Sequence, residues 1–191
     1  MKTPGRKHAP PPGAQPRGAR APPPLILPAE IWSGGQTGAD RAALDFALAH
    51  GIPHGGWCPR GRRAEDGVIP RHYRLTETAS DAYEERTRRN VRDSNATVIF
   101  SLAAELTGGS QLTLATARLL GKPVLHLVAA RDAGNAAVRL RKFVRRHHVR
   151  RLNVAGPRAS EAPGIAAFVE MVLRAACTEP PAGRLEHERP G

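Results

Sequence analysis

From residue 30 to residue 176, short apolar runs alternate with segments of helical period, and no other feature of the chain narrows its fold as much. Parallel strands need crossover helices, so the alternation predicts βαβ units in an α/β chain. The expected architecture is a Rossmann-like three-layer sandwich around a mainly parallel central sheet. Ala96-Thr97-Val98-Ile99-Phe100 is the clearest buried strand, with further strands expected at 30–33, near 53–57, at 124–128 and at 152–154. Helices are expected at 39–50, with Leu44, Ala47 and Leu48 on the buried face and Gly51 as C-cap. Others are expected at 80–94, within 106–123 up to Gly121, at 135–148 and at 164–176. A long loop rich in Gly, Arg and acids fills 58–73.

In such a sheet every strand-to-helix loop emerges at the carboxyl edge, where open α/β folds bind their ligands. Three unusual loops fall there: SGGQTGAD (33–40), LTGGSQLT (106–113) and LNVAGPR (152–158). Glycine lets backbone approach a ligand closely, and a helix start offers unpaired N–H groups and partial positive charge, so paired glycine loops suit a phosphate. Neither GxxxxGK[ST] nor GxGxxG is present, which points away from an NTPase or a standard dinucleotide reader. The candidate ligand-binding residues are Gly34, Gly35, Gln36, Thr37, Gly38 and Asp40 in the first loop, Thr107, Gly108, Gly109, Ser110 and Thr113 in the second, and Asn153 and Arg158 in the third.

Asp40 admits two readings. It closes a capping box with Thr37 as N-cap, or it meets ligand hydroxyls or a base edge. On the charged helix, Arg86, Asn90 and Asp93 recur at steps of four and three and share one stripe. That stripe either faces water or brings Arg86 to an anion and Asn90 to a base or pterin edge. Trp57, Arg60, Glu65 and Asp66 lie in the long loop, which could cover the site, although Trp57 suits a core equally well.

The remaining composition bounds the class. At 191 residues with 40% apolar, the chain suits one domain with tails. Residues 1–28 hold nine of the 18 prolines and five basic residues without an acid, a composition expected to be disordered. The domain is expected over 29–177, with a second tail from 178. No signal peptide or membrane span is visible, and two cysteines, Cys58 and Cys177, suit a cytoplasmic protein without disulfides or a metal-ligand pattern. The net charge of +12 is concentrated, +5 in residues 1–28 and +7 in 131–151, while 30–130 carries only +1. LRKFVRRHHVRR (140–151) reads as a helix with Leu140, Phe143, Val144 and His147 inward and a basic solvated face, a nucleic-acid groove being the alternative. His147 and His148 lack partners at metal-ligand spacing, so no metal site is expected.

The stretches SGGQTGADRAALDFA, GWCPRGRRAEDGVIP, RTRRNVRDSNATVIF, TGGSQLTLATA, GKPVL and LNVAGPRASEAPGI, in this order, resemble the putative molybdenum carrier family of the SLOG superfamily, related to the LOG hydrolases. The resemblance spans about residues 30–175 and implies a nucleotide-binding type of Rossmann-like sheet. It also implies molybdenum cofactor (molybdopterin) binding for storage or delivery, homo-oligomers (dimers or tetramers), and molybdoenzymes as partners. That cofactor is a pterin bearing a phosphate, which glycine loops suit, whereas no soft thiolate cage for molybdenum is present. LOG hydrolases carry a PGGxGTxxE motif whose glutamate helps cleave an N-glycosidic bond, and Ala115 stands at that position here. The resemblance therefore implies a carrier more than an enzyme. A nucleotide sensor, or a hydrolase using a displaced carboxylate, with Asp40, Glu65, Asp66 and Asp93 as the candidates and Asp40 and Asp93 named first, is the alternative.

Overall fold

A computed structural model describes residues 28–177; the tails expected at 1–28 and from 178 lie, but for Pro28, outside the described residues. The chain runs β1 (Glu30–Trp32), α1 (Ala39–Ala49), β2 (His54–Gly55), β3 (Trp57–Cys58), β4 (Arg63–Ala64), β5 (Gly67–Val68), β6 (Thr76–Glu77), α2 (Tyr83–Asp93) and β7 (Ala96–Ser101). It continues through α3 (Gly108–Leu119), β8 (Val124–Val128), α4 (Ala129–Asp132), α5 (Ala136–Arg146), β9 (Arg151–Ala155) and α6 (Ile165–Cys177). Five strands form one parallel sheet in the order β2-β1-β9-β7-β8.

All six residues of β7 are buried, which explains its continuous apolar run between two covered faces. Ala96, Val98 and Phe100 join the main core with Phe46 of α1, Leu140 of α5 and Val169 of α6. By the two-residue period of a strand, Thr97, Ile99 and Ser101 point to the opposite face, where α3 packs on β7 and α2 on α3. The result is the expected three-layer α/β sandwich.

Two expected inward positions differ. Leu48 is 42% exposed, because the buried arc of α1 runs through Ala43, Leu44, Phe46 and Ala47. His147 is exposed at the C-cap of α5, one turn beyond Phe143 and Val144, which are buried. The charged helix starts at Tyr83, three residues later than its pattern suggests.

The long loop is a folded strap. β3 pairs in parallel with β6, and β4 with β5 forms a hairpin. Cys58, Ile69 and Tyr73 make a small second core against Leu44 of α1. Arg62, 8% exposed, donates to the carbonyls of Ile69 (2.9 Å), Pro70 (2.9 Å), Tyr73 (3.0 Å) and Leu75 (3.1 Å). One guanidinium thus satisfies the backbone of a turn that has no ladder of its own.

Candidate functional site

At the carboxyl edge of the sheet a cavity of about 510 Å³ opens between the starts of α2 and α3 and the loop after β9. Its wall includes Gln36, Asp40, Arg86, Gly108, Gly109, Ser110, Thr113 and Arg158. The three loops expected together do meet there. Its volume lies in the range of small-molecule sites.

α3 supplies the anion-friendly wall. Its N-cap is Thr107, which makes no side-chain cap bond, so the first helical amides are left without that usual partner. A Cβ built on Gly108 or Gly109 would meet nothing within 4 Å. The Gly108 and Gly109 amides have no hydrogen-bond partner among the described residues, whereas the Ser110 amide donates to Thr107 O at 3.2 Å, so two amides remain for a ligand at the positive end of a 12-residue helix. Ser110 is buried at the same turn, while the Thr113 hydroxyl is spent on its own helix, donating to Gly109 O at 2.8 Å.

The first glycine loop is built differently. The N-cap of α1 is Gly38, at φ +74°, and neither Thr37 nor Asp40 caps the helix, so of the two readings of Asp40 the capping box does not form. Thr37 instead donates to Glu65 and accepts from the Ala159 amide at 3.1 Å, tying the first loop to the strap and to the loop after β9. A Cβ on Gly38 would lie 2.6 Å from Pro157 O and 2.7 Å from Ala159 N. On Gly34 it would lie 2.1 Å from Arg86 Nη1, and on Gly35 2.5 Å from Leu75. These glycines make room for protein, and none of the three lines the cavity.

Asp40 is 3% exposed and carries the electrostatics of the inner wall. Its carboxylate accepts from Arg86 Nη1 at 3.2 Å and from the Gln36 amide at 3.4 Å. Burial pushes its carboxyl above the usual aspartate range, against the pull of Arg86 and the Gln36 amide. Arg158, by contrast, has no carboxylate partner for its guanidinium among the described residues. It stacks 4.6 Å over the Tyr83 ring.

Asn90, Asp93 and Asn153 do not line the cavity. Asn90 brackets the Trp57 backbone, accepting from its N–H at 2.8 Å and donating to its carbonyl at 2.9 Å. Asp93 accepts from the Trp57 indole at 2.8 Å and from Arg92 at 2.7 Å. Asn153 reaches Thr97 Oγ1 at 3.3 Å within the sheet. α2 leads into β7 and so runs against the strands; its first turns lie at the carboxyl edge and its last turn at the other.

The same direction explains residues the stripe argument missed. Tyr83, Glu84 and Thr87 line the cavity from the first turns of α2, and Ala155, Gly156 and Glu161 from the loop after β9. Tyr83 sits three residues before Arg86, so extending the stripe toward the helix start would have found it. Glu161 is partly occupied in accepting from the Arg158 amide at 3.3 Å. Glu65 and Asp66 of the strap hold Ser160 and Arg41 and do not line the cavity. Ala115 is exposed on α3, away from it.

Among the described residues no group of three His, Cys, Asp or Glu could hold a metal ion, and no helix is long and apolar enough to cross a membrane. Cys58 and Cys177 are buried, with thiols pushed up by burial, Cys177 to about 11.

The Circularly permutated YpsA SLOG family matches residues 31–177. A crystal structure from Syntrophus aciditrophicus SB, described as "Putative molybdenum carrier protein", is similar at 45% identity and a TM-score of 0.77, covering 80% of this chain and 96% of that one. No curated protein matches. With the match running through the whole sandwich and all three loops of the cavity, this chain belongs to the circularly permutated YpsA SLOG family.

Proposed function

We propose that the protein carries the molybdenum cofactor, or a nucleotide-like ligand of similar build, by holding its phosphate at the start of α3. One observation carries this reading: the Gly108 and Gly109 amides, uncapped at the start of α3, border a cavity that also holds Arg158, whose guanidinium has no carboxylate partner among the described residues. The similar structure's description as a molybdenum carrier supports the choice of cargo. The donor set supports contact through the organic part of the cofactor, since among the described residues no cluster of His, Cys, Asp or Glu is available for molybdenum itself. Delivery to molybdoenzymes and assembly as a homo-oligomer belong to the same proposal; light scattering of the purified chain tests the second.

Native anaerobic purification followed by mass spectrometry and a molybdenum assay tests the proposal. A stoichiometric pterin with molybdenum is the expected result, and a nucleotide without molybdenum would move the assignment to a nucleotide-binding protein.

A second reading, cleavage of a nucleotide N-glycosidic bond, is favoured by Asp40 alone, a buried carboxyl with a raised pKa on the cavity wall. It requires free base and ribose phosphate to accumulate from nucleoside monophosphates and to vanish in Asp40→Asn. No product from a nucleotide panel at high protein concentration removes it.

A further inference from the structure

Gln36 is 2% exposed and lines the cavity. Its Nε2 donates to Arg63 O of the strap at 2.8 Å, which fixes the orientation of the amide, since the reverse would set two oxygens face to face. Oε1 is then a buried acceptor that meets no donor among the described residues. Arg86 Nε is a buried donor that meets no acceptor among the described residues, while its Nη1 binds Asp40 Oδ2. Asp40 Oδ2 also accepts from the Gln36 backbone N–H at 3.4 Å, so one carboxylate oxygen meets both residues, Gln36 through its main chain. Buried polar atoms without partners are rare, and leaving them so is unfavourable. Two of opposite kind, beside a cavity, describe the complement of a ligand edge.

We propose that Gln36 is a specificity-determining residue that reads an aminopyrimidine edge: an exocyclic amino group donates to Gln36 Oε1 and the adjacent ring nitrogen accepts from Arg86 Nε. The inference rests on the cavity being the ligand site and adds which face of the ligand is recognised. Adenine and pterin rings both carry such an edge. The phosphate is held at Gly108 and Gly109, and the ring turns its amino edge inward toward Gln36 and Arg86, the first side chain held by Arg63 O and the second by the Asp40 carboxylate. Heterocycles with an oxo group in place of the amino group set oxygen against oxygen at Gln36 and are rejected.

The test is calorimetric titration of the full chain, wild type and Gln36→Leu, with AMP and with purine riboside 5′-monophosphate, which lacks only the amino group. Inorganic pyrophosphate serves as a third probe for the anion cradle alone. Wild type should bind AMP about tenfold or more tightly than the amino-free nucleotide, and Gln36→Leu should bind both at the weaker level. Equal affinities in the wild type, or a preference that survives in Gln36→Leu, would overturn the inference. Pyrophosphate binding without either nucleotide overturns the edge and leaves the cradle standing; binding of none of the three overturns the cradle and the edge with it. Should Gln36→Leu fail to fold, the wild-type pair decides.

Discussion

Two glycine loops start two helices at the same edge of the sheet, and they use glycine for opposite reasons. At the start of α1, Gly34, Gly35 and Gly38 leave space that Arg86, Leu75 and the 157–159 backbone fill. The donors there are spent inside the protein: the Ala39 amide on Pro157 O at 3.2 Å and the Gln36 amide on Asp40. Asp40 also sets a negative charge against the positive end of α1. At the start of α3 no acid lies in the first turn, no side chain caps it, and the space beside Gly108 and Gly109 is empty. A glycine-rich loop thus marks a backbone that something approaches closely. Whether that something is protein or ligand depends on what fills the missing Cβ.

The largest effect that could break this contrast is on stability in the first loop. Gly38→Val sets a β-branched side chain at φ +74° against backbone 2.6–2.8 Å away, and should destabilise the fold by ~3 kcal/mol or more in urea unfolding. A variant of native stability would show that the loop can open. Arg86→Met comes next, because it leaves the Asp40 carboxylate buried without its cation; side-chain exposures of 13% and 4% make this a buried pair. A loss of about 3 kcal/mol at neutral pH is expected in the same assay.

Smaller is the pH dependence carried by Asp40. Its pKa is raised in the fold, so the folded state binds the proton more tightly than the unfolded chain. Its contribution to stability is fully present below the ordinary aspartate value and is lost as pH rises through the folded pKa. Stability of Asp40→Asn relative to wild type should therefore climb across that window, and a flat difference would contradict the burial argument. The smallest stability change belongs to Gly109→Val, under ~1 kcal/mol, since its Cβ enters open space at a φ that is not positive. The same variant should lose ligand binding, measured by calorimetry with AMP. Retained affinity in the folded protein would erase the distinction between the loops.

The sandwich was legible because β7, with both faces covered, has to read as ATVIFS, and because helices alternate with strands on either side of it. The meeting of three distant loops followed from parallel topology alone. Residue roles within the loops were less legible. Gly34 and Gly109 look alike in sequence, and what separates them is the Arg86 guanidinium and the Asp40 carboxylate beside Gly34. Asn90 and Asp93 share a stripe with Arg86, but they lie toward the far end of α2 and hold Trp57. The strap was hidden because its order comes from Arg62 binding four carbonyls, an interaction with no periodic signature.

The central claim is that the ligand's anionic group sits on the second glycine loop and not on the first. Backbone amide shifts of the full chain, followed by ¹H–¹⁵N NMR during titration with AMP, report on both loops in one experiment. The account predicts the largest saturable shifts at Gly109 and Ser110, with Gly34, Gly35 and Gly38 little moved. Shifts concentrated at residues 34–38, with Gly109 unchanged, would contradict it.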